Sequence, residues 1–175
     1  MRKSVLFFVK MVLVLSLVVA VGCGKDEGDD KSKNPENNAE KPVSDPEGTI
    51  TIKVRNESNG CTGVYPDGCV NDYFYISTSN NFYGRSYYTF ANIGKVSGLG
   101  NVTKIPNSGY AREVAVEPGC GYVAKCEWGS YYWNGISVPA KTTYVRIYVV
   151  GWTTAAGSSG GIIGAEIKYQ SPFAP

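Results

Sequence analysis

Between Thr49 and Arg55 the chain alternates strictly, Ile50, Ile52 and Val54 against Thr51, Lys53 and Arg55, and this period of two narrows its possible folds most. Successive side chains of a strand point to opposite faces, so the pattern gives one apolar face and one wet one. The same period returns four times. Val114 and Val116 oppose Glu113, Ala115 and Glu117, while Tyr122, Ala124, Cys126 and Trp128 share a face. Val145, Ile147 and Val149 oppose Tyr144, Arg146, Tyr148 and Trp152, and Ile163, Ala165, Ile167 and Tyr169 alternate with Glu166 and Lys168. Asp72 to Ser77 is aromatic or β-branched on both faces, which predicts a central strand. Phe82 to Ile93 predicts one long strand, or two with a kink at Gly84. Turn signals separate these runs: Asn59-Gly60, Pro66-Asp67-Gly68, Gly98-Leu99-Gly100, Asn107-Ser108-Gly109, Pro118-Gly119 and the Gly157–Gly161 stretch. No window of helical period exceeds a turn or two. The expectation is an all-β fold, a single antiparallel β-sandwich, with a small β-barrel as the second choice.

The N-terminal end has a different composition. Arg2 and Lys3 precede an apolar core from Met11 to Val21, and the small Gly22 stands before Cys23. This is the layout of a signal peptide of the lipoprotein kind, residues 1–22, cut before a cysteine that is then acylated. A spanning helix is the competing reading, but it needs roughly 20 apolar residues, and Lys10 interrupts the run. Residues 23–47 form a polar tether in which Asp26, Glu27, Asp29, Asp30, Glu36, Glu40, Asp45 and Glu47 oppose only Lys25, Lys31, Lys33 and Lys41. So little apolar surface cannot offset the entropy of ordering, and disorder is expected there. The folded domain is then 48–175, where ten Lys and Arg against seven Asp and Glu are scattered rather than clustered. That distribution argues against a nucleic-acid partner.

The segment Cys23-Gly24-Lys25-Asp26-Glu27-Gly28-Asp29-Asp30 resembles the surface-export signal of Bacteroidota lipoproteins. In the domain, Asn81-Phe82-Tyr83-Gly84, Gly94–Gly100, Val116-Glu117-Pro118-Gly119-Cys120-Gly121-Tyr122-Val123, Tyr144–Val150 and Gly161–Tyr169 resemble a Bacteroidota lipoprotein family known only as a domain of unknown function. The resemblance implies a compact domain anchored by lipid at the outer membrane and exposed at the cell surface. It brings no catalytic residues with it.

Chemistry is narrowed by elimination. The chain has no histidine, which removes the commonest neutral-pH base and the commonest zinc ligand. Glu113 and Glu117 lie about 13 Å apart if their strand is extended, too far for paired glycosidase carboxylates. Glu127 and Glu166 remain as a pair that could meet across strands in a small hydrolase acting on glycan or peptidoglycan. No metal site and no cofactor are expected, because Asp67 and Asp72 belong to no calcium-loop pattern.

After Cys23, four cysteines remain: Cys61, Cys69, Cys120 and Cys126. An even number in an exported domain indicates disulfides. Cys61 and Cys69 flank a turn and are the expected pair. Cys120 and Cys126 are roughly 20 Å apart along one straight strand, beyond disulfide reach. All thirteen tyrosines and three tryptophans fall in the domain, and Trp128, Tyr131, Tyr132 and Trp133 crowd one turn-rich stretch. Those rings either cap the sandwich or contact a ligand, a glycan or a protein. The functional expectation is therefore a lipid-anchored, non-enzymatic binding or structural module.

Overall fold

The structure is a computed structural model and describes residues 41–69, 72–157 and 160–175. The signal segment, Cys23 and the tether as far as residue 40 lie outside the described residues. Ten strands occur among the described residues: β1 Ile50–Arg55, β2 Phe74–Ile76, β3 Asn81–Gly84, β4 Tyr88–Lys95, β5 Glu113–Ala115, β6 Cys120–Trp128, β7 Tyr131–Trp133, β8 Ile136–Val138, β9 Lys141–Thr154 and β10 Ile162–Gln170. All pairings between them are antiparallel. A five-stranded sheet runs β1-β10-β9-β6-β4, a three-stranded sheet runs β2-β3-β5, and β7 pairs only with β8. The sheets are open rather than closed into a barrel, so the all-β expectation holds in its two-layer form.

The two larger sheets face each other across one core. Val54, Tyr122, Ala124, Cys126, Val145, Ile147, Val149, Ala165 and Ile167 line the large sheet's inner face, and Phe74, Ile76 and Phe82 meet them from the small sheet. These are the residues that alternation assigns to the apolar side of each strand. Phe74, Phe82, Tyr88, Phe90 and Tyr122 interlock at the centre, with Phe74–Phe82 edge-on at 5.8 Å and Phe82–Tyr122 edge-on at 5.1 Å. Each fully buried ring is worth about 2–3 kcal/mol of transfer free energy, and the edge-to-face geometry adds a smaller increment. The chain crosses from the small sheet to the large one between Gly84 and Tyr88. A Cβ at Gly84 would lie 2.2 Å from the Tyr88 carbonyl oxygen, so only glycine fits this crossing.

The outer face of the large sheet is covered as well. Val102, Val123 and Phe173 are buried there, with Ile93, Val96, Ile105, Tyr110 and Tyr144 packed around them. Arg146 sits among these groups with its guanidinium 4.9 Å from the Phe173 ring centre, donating to the Gln170 side chain at 2.7 Å and to the Val102 carbonyl at 3.2 Å. Ahead of the boundary expected at Gly48, the chain already touches the domain. The Val43 N–H donates to Asn101, and Asp45 pairs with Lys168 at 2.5 Å.

Two local expectations are corrected. Asp72–Ser77 forms no central strand: β2 is the edge of the small sheet, bordered on its free side by isolated bridges to Val64 and Asn56. Its aromatic residues fall on both faces because one face fills the core and the other carries an outward-facing, largely half-buried tyrosine row. Trp152 does not continue the outward row of Tyr144, Arg146 and Tyr148. Ile167 pairs with Val149 but Glu166 pairs with Gly151, which leaves Val150 as a bulge. The extra residue reverses the parity, and Trp152 turns inward against the core.

Candidate functional site

The aromatic stretch expected from sequence is a hairpin at the end of the β6–β9 pair. Gly129-Ser130 on one side and Pro139-Ala140 on the other interrupt the ladder, and β7 and β8 resume it with Tyr131 opposite Val138, Tyr132 opposite Ser137 and Trp133 opposite Ile136. Asn134 and Gly135 turn the chain with φ of 48° and 79°. Two consecutive left-handed residues define the type I′ turn that asparagine-glycine favours. Directly opposed residues share a face, so Tyr131, Trp133, Ile136 and Val138 lie on one side and Tyr132 and Ser137 on the other. Tyr132 is 79% exposed, Trp133 and Ile136 are each 68% exposed, and Tyr131 is 42% exposed. Trp128 departs from the expectation that grouped it with these rings. It holds the inward parity of β6, is buried in the main core, and has the Lys141 ammonium 5.8 Å from its ring centre.

A second aromatic surface lies on the outer face of the small sheet, and the sequence reading did not find it. Tyr65, Tyr73, Tyr75 and Tyr83 stand in a row with ring centres 5.0, 6.1 and 5.4 Å apart. Tyr73 and Tyr75 share a face at i and i+2 of one segment, and Tyr83 sits opposite Tyr75 in the β2–β3 register. Tyr65 joins them because Val64 bridges to Phe74. Gly63 makes room, since a Cβ there would press on both the Tyr65 and the Tyr73 ring at 3.0 Å. Guanidinium groups flank the row, Arg85 at 5.2 Å from the Tyr73 ring centre and Arg112 at 5.7 Å from that of Tyr83. At the Tyr65 end, Tyr65, Pro66, Asp67, Gly68, Cys69, Tyr73 and Arg85 line an open cleft of about 460 Å³. The only sequence signal was the period-two spacing of Tyr73 and Tyr75, which by itself marks a strand.

The disulfide is Cys69–Cys126, with Cα atoms 6.2 Å apart, and the expected Cys61–Cys69 pair does not form. The reason is how the 66–69 turn docks. The Gly68 carbonyl accepts from Thr143 Oγ1 at 3.1 Å and the Asp67 carbonyl from Ser171 Oγ at 2.6 Å. These bonds carry Cys69 over the large sheet beside β6, where Cys126 opposes Thr143. Cys61 stays exposed near the end of β1, where Thr62 donates to the Arg55 carbonyl at 3.1 Å. Cys120 is a buried free thiol 3.7 Å from a Glu117 carboxylate oxygen. Burial pushes its pKa up, with Glu117 acting in the same direction and the Lys95 charge opposing.

The carboxylates do not converge. Glu127 opposes Thr142 in β9 whereas Glu166 opposes Gly151 on the other side of that strand. Nine residues of strand separate the two levels, roughly 30 Å, several times the spacing of glycosidase pairs. Glu127 is instead exposed and paired with Lys125 at 2.6 Å, and Glu113 accepts from the Asn81 side chain at 2.9 Å.

These features define a two-layer antiparallel β domain that carries its distinctive side chains on its surface. Residues 51–174 match the family described as a domain of unknown function (DUF5036), and the chain belongs to that family. Comparison with curated proteins gave no match, and neither did comparison with solved structures.

Proposed function

We propose that this protein is a non-enzymatic binding module, held by lipid on Cys23 at the outer membrane and displayed on the cell surface, whose β7–β8 hairpin contacts a macromolecular partner. The observation that carries the reading is the exposure of Tyr131, Tyr132, Trp133 and Ile136 on a hairpin that, among the described residues, pairs with no other strand. A two-stranded hairpin gains little stability by itself in water. Large apolar groups held out on one are unfavourable for solubility unless something covers them. Aromatic rings with polar tips are the residues that most often anchor macromolecular contacts. Anchoring is supported by the n-region, apolar core and Gly22-Cys23 boundary, and outward display by the acid-rich run after Cys23. A polar tether of that length gives reach at about 3.3–3.6 Å per residue when extended.

Two experiments test the parts separately. A Cys23→Ser chain is expected to lose its lipid and leave the membrane fraction; a chain that still sediments with membranes contradicts the anchor. The Tyr132→Ala/Trp133→Ala double variant is expected to keep the native melting temperature and to lose binding on an array of cell-surface proteins. Binding equal to that of the unaltered chain contradicts the hairpin's role.

A further inference from the structure

We infer that the cleft at the end of the tyrosine row is a carbohydrate site, taking one or two pyranose units of a neutral glycan chain on Tyr65 and Tyr73 between Asp67 and Arg85. This surface is separate from the β7–β8 hairpin and takes a ligand of narrower chemistry.

The cleft combines three kinds of group that a pyranose needs together. Ring walls come from Tyr65, which is 65% exposed, and from Tyr73, half-buried beside it. An aromatic face can cover the apolar C–H face of a sugar, while its own phenol remains a donor and acceptor. A carboxylate, Asp67, and a guanidinium, Arg85, line the same cleft. Together they supply acceptors and donors for the hydroxyls at the sugar's rim, and hydrogen bonds to charged groups are stronger than neutral ones. Among the described residues Arg85 has no ion-pair partner, and its guanidinium is held by the Tyr73 ring.

The walls are fixed before any ligand arrives. Three consecutive residues of the turn are fastened to the large sheet or the C-terminal segment: Asp67 by Ser171, Gly68 by Thr143 and Cys69 by Cys126. On the other wall, the Arg85 N–H donates to the Tyr73 carbonyl at 3.4 Å, and Arg112 donates to the carbonyls of Gly84 and Arg85. The backbone at Arg85 is thus pinned, with the side chain left over the ring. Preorganised walls reduce the ordering cost of binding. Beyond the cleft, Tyr75 and Tyr83 continue the row at ring spacings of 6.1 and 5.4 Å, so a chain ligand has further rings to follow.

Other ligand classes fit less well. Along the row Arg85 and Arg112 are offset by Asp67 and Glu113, which is no track for a polyanion, and a lipid tail would leave Asp67 and Arg85 desolvated. A polyhydroxylated neutral chain satisfies both.

Titration of the full chain with maltohexaose, cellohexaose, laminarihexaose and xylohexaose, followed by calorimetry, tests the site. At least one is expected to bind in the micromolar to millimolar range. Tyr65→Ala and Arg85→Ala, both at exposed positions, should each weaken that binding about tenfold or more, with unchanged melting temperatures. Trp133→Ala should leave it unaltered, and reduction of Cys69–Cys126 should weaken it. Absence of binding to all four sugars at millimolar concentration overturns the site, as does binding that Tyr65→Ala and Arg85→Ala leave intact. Loss through Trp133→Ala alone would place the sugar on the hairpin and would equally overturn it.

Discussion

Two tyrosines in the same core carry opposite hydrogen-bond balances. The Tyr122 hydroxyl donates to the Ala115 carbonyl and accepts from the Glu117 N–H, each at 2.8 Å, stitching β6 to the chain after β5. The Tyr88 hydroxyl is buried without a partner among the described residues. Removing a satisfied buried hydroxyl strands its partners, whereas removing an unsatisfied one relieves a desolvation cost. Tyr122→Phe is therefore expected to cost about 1–2 kcal/mol, and Tyr88→Phe to be neutral or slightly stabilising; urea unfolding measures both. Burial raises both phenols above the usual range, Tyr122 despite its hydrogen bond, and pushes Tyr110 up to about 12. With folded pKa values above the unfolded value of about 10, the native state holds more protons than the unfolded state above that pH. Stability is then fully present below about pH 10 and falls as pH rises toward 12. A melting temperature that is flat from neutral pH to about 10 and then declines, less steeply in Tyr110→Phe, is the expected record.

At the scale of elements, the disulfide joins the 66–69 turn to β6 across 57 residues of sequence. Closing a loop of that size removes about 4 kcal/mol of unfolded-state entropy. Cys126→Ala should lower stability by about 2–4 kcal/mol, the lower end applying if the unfolded chain is already compact. Alkylation followed by mass measurement should label Cys61 in the native protein, Cys120 only on unfolding, and Cys69 and Cys126 only after reduction; early labelling of Cys69 would contradict the pairing. Individual strands were legible because their apolar residues keep a period of two, and the inward sets of β1, β6, β9 and β10 follow it almost throughout. Trp152 was misplaced because a bulge at Val150 leaves no mark in local composition. The β7–β8 turn was visible as Asn134-Gly135 between aromatic residues. Whether its rings are exposed was not, since exposure depends on what packs above them. Gly135→Ala, which puts a side chain at φ of 79°, should loosen this hairpin by about 1 kcal/mol and leave the rest of the domain unchanged by amide exchange.

Across the whole molecule, the sequence told the fold class but not which strands share a sheet. Sandwich partners are set by long-range burial, so β4 and β3, consecutive in the chain, belong to different layers. The Cys69–Cys126 bond and the tyrosine row share that origin. The row draws on three segments around residues 65, 73–75 and 83, and only the assembled small sheet aligns them. Glu127 and Glu166 show the converse, a pair that sequence left free to meet and that the β9 register holds apart. The result is a scaffold that packs one set of aromatic rings in its core, turns a second set outward on the β7–β8 hairpin and the small sheet, and disperses its carboxylates, which is why binding rather than turnover is the proposed role. The most direct test compares the full chain with its Tyr132→Ala/Trp133→Ala variant on one array of cell-surface proteins. Loss of the bound signal by about tenfold or more, at an unchanged melting temperature, is the result expected. Equal binding by the two chains would contradict the proposal.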